Sequence, residues 1–241
     1  MRLYLDVPYQ EKDRAKALGA KWDAKVKKWY TDAERKQYVK FAPWILNDGD
    51  EAYIATDYLH IIEGRRACWK CKKQTRVIGL GIGEYVHIYD DGRRPRYEIG
   101  EDYLDPGEEV HLAWTDREEE IPPKLLRYLK KNYSVKTGYS KTAGTCFANH
   151  CDCCGAIQGN WFLFGEPDSP LSSDAYGTEL IIRMEQLKIK SIPIEDDLKL
   201  NWDLVFCDND YAYLKYGQFE EVILSDDPEN EYVSYEELYR G

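Results

Sequence analysis

Cys68-Trp69-Lys70-Cys71 sets two thiols three positions apart, and Cys151-Asp152-Cys153-Cys154 repeats that spacing far downstream. Two thiolates separated by two residues grip one edge of a tetrahedron, so two such pairs complete a four-cysteine site for one structural Zn2+. The expected ligands are Cys68, Cys71, Cys151 and Cys154, and Gly155 permits the tight backbone approach of such a knuckle. A gap of 79 residues separates Cys71 from Cys151. A compact ribbon spans only about 15–20 residues between its pairs. The metal is therefore expected to clamp the start of a large domain to its middle, ribbon-like only in its knuckles.

The alternatives are ordinary buried thiols, a redox pair and a catalytic metal. Neither pair opens a helix in a βαβ context, which disfavours redox chemistry. Four cysteines leave no open coordination position, which disfavours a catalytic zinc. His150 beside Cys151 leaves a Cys3His set open, and Cys153 can substitute only by giving up the two-residue spacing. Cys146 and Cys207 read as core thiols, and His60, His87 and His111 as packed residues on strand-like runs.

Outward from the cysteines, the charge is divided. The chain has 241 residues and a net charge of −11, yet residues 1–45 carry eleven Lys and Arg against six Asp and Glu. The remainder holds 22 basic against 38 acidic residues. This predicts a basic module over residues 1–46, a polar linker Asn47-Asp48-Gly49-Asp50-Glu51, and a larger domain over residues 52–241. In the module, Arg2 to Val7 alternates as a strand and Pro8 ends it. A short helix follows from Gln10, closed by Gly19. Lys21-Trp22-Asp23 and Lys28-Trp29-Tyr30-Thr31 form a hairpin, and Asp32 caps a second helix from Ala33 to Phe41. The order is strand, helix, hairpin, helix.

In the larger domain, strands are expected at Tyr53–Ile62, Arg76–Ile82, Glu84–Tyr89, Val110–Trp114, Cys146–His150 and Trp161–Phe164. Residues 178–194 and 204–213 read as strand-rich, although Arg183–Leu187 also suits a helix. Pro122-Pro123 opens an amphipathic helix, and Tyr235–Arg240 reads as a terminal helical turn. The fold class is α+β, a small basic module plus a larger β-rich domain clamped by a four-cysteine zinc site.

Lys12, Lys16, Lys25 and Lys28, interleaved with Trp22 and Trp29, are the candidate nucleic-acid contacts. Cations displace counterions from phosphates, and flat rings stack on unpaired bases. The competing reading makes the two tryptophans the core of a tiny unit. The run Leu5-Asp6-Val7-Pro8-Tyr9, continuing through Glu11-Lys12-Asp13, Ala15-Lys16-Ala17-Leu18-Gly19-Ala20 and Lys21-Trp22-Asp23 to Lys28-Trp29-Tyr30, resembles a small domain of unknown function. That domain recurs in bacterial and plasmid proteins, often beside primase, topoisomerase or exonuclease domains. The resemblance covers about the first 45 residues and implies a DNA-processing neighbourhood rather than an activity. The rest is similar to proteins in which this module precedes a CWKC and a later NxCxxCGxxQG element, here Cys68–Cys71 and Asn149–Gly159, which supports zinc.

Other signals are weaker. Gly79-Leu80-Gly81-Ile82-Gly83 lacks dinucleotide-loop spacing and suits a bulge or close sheet crossing. Glu101-Asp102, Glu108-Glu109 and Glu118-Glu119-Glu120 raise a metal-dependent nuclease as one alternative and docking on a basic protein, in a defence or mobile-element system, as another. No window has the roughly 18 consecutive apolar residues of a membrane span. Met1–Val7 is too short and charged for a signal peptide, so a cytoplasmic place is expected. The expectation is a non-enzymatic, zinc-stabilised binding protein of bacterial, plasmid or phage origin, contacting nucleic acid through the module.

Overall fold

The computed structural model describes residues 1–46, 49–90, 92, 95–99, 109–166, 168–224 and 233–234. Part of the linker (Asn47-Asp48), the acids Glu101-Asp102 and Glu108, and the terminal turn at Tyr235–Arg240 lie outside them. The chain forms two compact units: Met1–Tyr58 with Glu84–Gly107 and Ile194–Asn201, and Leu59–Gly83 with Glu108–Pro193 and Trp202–Gly241. The class is α+β, as the sequence predicts.

In the first unit, Leu3–Leu5, Lys28–Thr31 and Lys21–Asp23 make an antiparallel sheet with Lys28–Thr31 in the centre. Leu5 and Trp22 both stand opposite Trp29. The helix Lys12–Ala17 follows a tight turn at Tyr9–Glu11 and stops at Gly19, whose φ of +100° lies in the left-handed region open to glycine. A second, antiparallel sheet orders Leu198–Leu200, Glu51–Ala55, Tyr85–Asp90 and Pro95–Ile99. Leu5, Trp29, Tyr38, Phe41, Trp44 and Ile45 bury their side chains in one cluster with Ala52, Ile54, Val86 and Ile88. About 45 residues expose too much surface per buried atom to make a good core alone. Here they share one.

The expected helix Ala33–Phe41 is instead a 3-10 run over Arg35–Phe41 followed by one α-turn, Ala42–Ile45. Asp32 does not cap it: its carboxylate pairs with Lys21, and Thr31 Oγ1 accepts the Ala33 N–H at 3.2 Å. The run is held from its side by Asp197. Arg35 donates to both carboxylate oxygens at 3.1 and 3.2 Å and to the Thr56 carbonyl, while Tyr38 Oη donates to Oδ2 at 2.6 Å.

In the second unit, the described strands of the large sheet run in the order Asp203–Val205, His111–Trp114, Gln74–Ile82, Tyr58–Ala67, Lys188–Pro193, Gln218–Ile223 and Val233–Ser234. Tyr58–Ala67 and Gln74–Ile82 pair antiparallel over nine residues, from Leu59 opposite Ile82 to Ala67 opposite Gln74. This long hairpin carries Cys68 and Cys71 in its turn. Val135–Ser140, Gly144–His150 and Ile157–Gln158 form a smaller antiparallel sheet that delivers Cys151. The glycines of Gln74–Ile82 mark close approach: a Cβ on Gly81 would sit 2.7 Å from Val110 Cγ1, and one on Gly79 3.0 Å from Leu112 Cδ2.

Four further readings need correction. Tyr53–Ile62 is two strands, broken at Thr56-Asp57. Trp161–Phe164 is not a strand but a wide helical turn, in which the Asn160 carbonyl accepts the Leu163 and Phe164 N–H groups at 2.8 and 3.0 Å. Gly177–Glu185 is an α-helix before the strand Lys188–Pro193, and within residues 204–213 only Leu204 and Val205, the end of the strand Asp203–Val205, are extended. Short apolar runs carry no period that separates strand from helix. The helix Pro123–Asn132 stands as expected. Among the described residues, no helix is long and apolar enough to cross a membrane.

Candidate metal centre

The hairpin Tyr58–Ala67/Gln74–Ile82 and the strand Gly144–His150 bring the two cysteine pairs together. The four sulfurs of Cys68, Cys71, Cys151 and Cys154 all lie within 4.8 Å of one another. Cys68 Sγ is 3.7 Å from Cys154 Sγ, and Cys71 Sγ is 3.7 Å from Cys151 Sγ. A tetrahedron of thiolates at about 2.3 Å from its centre has edges of about 3.8 Å. The four thiols could therefore hold one metal ion, with two of the edges already at the tetrahedral length.

Both knuckles use the same backbone device. Lys72 N–H donates to the Cys68 carbonyl at 2.9 Å, and Cys68 N–H donates to the Lys73 carbonyl at 2.9 Å. In the second, Gly155 N–H donates to the Cys151 carbonyl at 2.9 Å and Cys151 N–H to the Ala156 carbonyl at 2.8 Å. This folding turns backbone N–H groups onto sulfur: Cys153 N–H reaches Cys151 Sγ at 3.4 Å. Burial opposes ionisation of Cys68, but the N–H groups of Cys71 and Lys70 outweigh it and hold the thiol well down, at about 6. Cys151 is lowered in the same way, by Cys154 and Cys153 N–H groups acting against burial. Cys71 moves the other way: the Lys73 N–H favours its thiolate, but burial and the neighbouring Cys154, Cys151 and Cys68 sulfurs push it up to about 12, as thiols gathered this closely must share protons.

A layer of polar contacts fixes the knuckles. Gln158 Nε2 donates to Cys68 Sγ at 3.4 Å. The Asp152 carboxylate accepts from Arg76 N–H at 3.0 Å and Ser134 Oγ at 2.7 Å, and Asp152 N–H donates to Thr75 Oγ1 at 2.9 Å. Asn149 spans to the neighbouring strand, accepting the Ile78 N–H and donating to the Ile78 carbonyl, both at 2.8 Å. Trp69 Nε1 donates to the Ile157 carbonyl at 2.7 Å. Such outer contacts orient ligands and tune their charge. Of these residues, Asn149 and Gln158 stand in the NxCxxCGxxQG pattern and Trp69 in CWKC; nothing in the sequence marks Thr75 or Ser134.

His150 and Cys153 stay outside the cluster. The His150 ring is buried, its Nδ1 lies 3.0 Å from the Ala148 carbonyl, and a Cβ on Gly138 would sit 2.8 Å from its Nε2. Cys153 is exposed, and Cys146 is buried elsewhere. His60 is buried against Ser191 Oγ at 2.9 Å. His111 Nδ1 lies 2.7 Å from Asp210 Oδ2, whose other oxygen accepts from Ser173 Oγ at 2.6 Å. The serine meets the carboxylate and not the imidazole, so this buried trio lacks the nucleophile–base contact of acyl-transfer chemistry.

Among the described residues, the four cysteines are the one gathered group of three or more metal-competent side chains. Glu118 is bound by Lys130 and Thr137, and Glu120 by Thr115 and Arg117.

The candidate nucleic-acid contacts lie in the first unit. Lys16, Lys25 and Lys28 are exposed and Lys12 is half-buried, its Nζ 2.9 Å from Tyr9 Oη. Lys28 Nζ lies 3.9 Å from Asp6. Trp22 is 50% exposed, whereas Trp29 is only 8% exposed and supports Trp22 edge-to-face at a centroid distance of 5.5 Å. Trp22 offers an open ring; Trp29 is core.

A family model described as a domain of unknown function, DUF5710, matches residues 2–45. Forty-seven residues of the chain, 18% of it, are 49% identical to a stretch of a DNA primase TraC of Escherichia coli, covering 3% of that protein. A second DNA primase TraC of Escherichia coli is 56% identical over 32 residues, 13% of this chain and 3% of that protein. The chain thus spans about 3% of the length of the relatives it matches. No solved structure matches it.

Proposed function

We propose that this chain is a zinc-stabilised, non-enzymatic nucleic-acid-binding protein of a bacterial or mobile-element DNA-processing system. The observation that carries the metal half is the gathering of four thiol sulfurs within 4.8 Å of one another, a set whose cysteine count suits Zn2+ and leaves no open position for substrate. A bound zinc would supply cross-linking charge and nothing reactive. Cys68 and Cys71 would tie the hairpin to Cys151 and Cys154 within the second unit.

Support for the nucleic-acid half comes from the match of residues 2–45 to a family model of unknown function and from the short stretches of the chain that are similar to DNA primases, together with the placement of Trp22 among exposed lysines. In this reading Lys12, Lys16, Lys25 and Lys28 of the 1–46 module hold phosphates, and Trp22 stacks on a base, with Trp29 as its support.

Metal analysis of the purified full-length chain should return one zinc per molecule. Chelation, or Cys71→Ser with Cys154→Ser, should unfold the metal-bearing body, because apo sites of this kind lose the binding energy that folds them. In an anisotropy titration, Lys25→Glu with Lys28→Glu should weaken oligonucleotide binding and flatten its salt dependence. A stably folded zinc-free wild type would sink the metal half; unchanged binding and salt slope in the charge-reversed chain would sink the other.

A further inference from the structure

Residues 65–76 contain six Lys and Arg and no Asp or Glu, although residues 46–241 are acidic overall. The first knuckle presents that charge outward. Arg65, Lys70, Lys72 and Lys73 are exposed, and among the described residues none of the four forms an ion pair. Arg76, by contrast, is drawn to Asp152 at 3.6 Å. In the N-terminal module Lys21 and Lys28 each face a carboxylate. The knuckle therefore carries a denser unneutralised charge than the N-terminal module.

Flat rings are exposed on this knuckle and on the turn that follows the second one. Trp69 is 59% exposed even though its Nε1 is anchored to the Ile157 carbonyl. Trp161 is 66% and Phe162 50% exposed, in the helical turn that follows the second knuckle. Arg66 ties that turn to the hairpin: its Nη1 donates to the Phe162 carbonyl at 3.0 Å and its guanidinium sits 5.9 Å from the Phe162 ring centre. The Trp69 ring and the Phe162 turn are thus held in place, and the Trp69, Trp161 and Phe162 rings all meet water. Large apolar groups kept exposed on a fixed frame mark an interaction site.

We infer that the metal knuckle is itself a binding surface for single-stranded nucleic acid. Arg65, Lys70, Lys72 and Lys73 hold the phosphates, and unpaired bases stack on Trp69 and Trp161. Single strands fit this chemistry best, because every base has a π face and a duplex hides it. The inference does not rest on the N-terminal module, which lies in the other unit.

The test is fluorescence anisotropy of the zinc-loaded, full-length chain with a labelled oligothymidylate of about twenty nucleotides, long enough for either surface. Lys70→Glu with Lys73→Glu should weaken binding at least tenfold at low salt. Each lost phosphate contact on a single strand should lower the log–log salt slope by about 0.7, so the pair lowers it by about 1.4. Zinc content and near-UV circular dichroism should stay at wild-type values. Trp161→Ala should cost roughly tenfold with little change of slope, as loss of one stacked base does. If only Lys25→Glu with Lys28→Glu weakens binding, the module reading stands and this one falls; if only the knuckle pair does, the reverse holds. Polyglutamate displacing the oligonucleotide at equal charge, or a duplex binding as tightly as the single strand, would also overturn it by showing a general anion surface.

Discussion

Lys72 and Gly155 hold the same place in the two knuckles. Each is four residues after its leading cysteine, each donates its N–H to that cysteine's carbonyl at 2.9 Å, and their φ angles are +63° and +68°. One knuckle thus meets the left-handed requirement with glycine and the other with a lysine, for which that conformation is strained.

Lys72→Gly should accordingly stabilise the zinc-loaded chain by about 0.5–1 kcal/mol, the strain relieved exceeding the added freedom of the unfolded chain. Gly155→Ala should destabilise it by about 1 kcal/mol or more. Urea unfolding at fixed free zinc measures both, and a lower midpoint for Lys72→Gly would show that the lysine is not strained there.

Asp197→Ala should be among the most damaging single changes in the first unit. It removes the acceptor for Arg35 and Tyr38, leaving a half-buried guanidinium without its carboxylate and the buried Tyr38 hydroxyl without its partner, at a cost of about 3 kcal/mol. Tyr38→Phe, which keeps the ring and removes one hydrogen bond to a charged group, should cost about 1.5–3 kcal/mol. Chemical denaturation followed through the first unit's aromatic signals separates them.

Asp57 and His60 give stability opposite pH slopes. Burial is the main cause that raises the Asp57 carboxyl, to about 6, with Glu84 adding to it against the Tyr58 N–H. Its ionisation is therefore penalised in the fold, and its contribution is lost as pH rises from about 4 through 6. Burial lowers His60 to about 4. Its neutral form is favoured in the fold, so stability is lost as pH falls from about 6.5 through 4. Asp57→Asn should raise the unfolding midpoint at pH 7.5 and leave it nearly unchanged at pH 4. An equal shift at both pH values would show that the carboxyl ionises freely.

Trp22 and Trp29 should separate cleanly. Trp29→Ala removes a core ring and should cost about 3–5 kcal/mol of stability. Trp22→Ala should cost little stability, but weaken oligonucleotide binding by about 1–3 kcal/mol if its open face takes a base. Paired measurements of melting and binding decide; equal loss of stability in the two variants would contradict the burial difference.

The module's order of strand, helix and hairpin was legible because each element is bounded by a residue with a single backbone meaning, Pro8 and Gly19 above all. The cysteine set was legible because thiol spacing is a local property. Asp197 was invisible: its partners lie more than 150 residues away, and only the fold supplies the register. Trp161–Phe164 misled because four apolar residues fit a buried strand and a turn equally well. The charge of residues 65–76 was present in the sequence, but averaging over a long acidic segment concealed it.

The distance along the chain between the two knuckles also governs biogenesis. Cys68 and Cys71 leave the ribosome about 80 residues before Cys151 and Cys154, an interval of roughly 4–16 s at about 5–20 residues per second. Throughout that interval the first pair is a bare vicinal dithiol, able to capture a stray thiophilic ion or close into a disulfide. In the proposed metal-loaded chain, metallation would be a race between elongation and side reactions, and a pause placed between the two pairs should lower the yield of loaded protein.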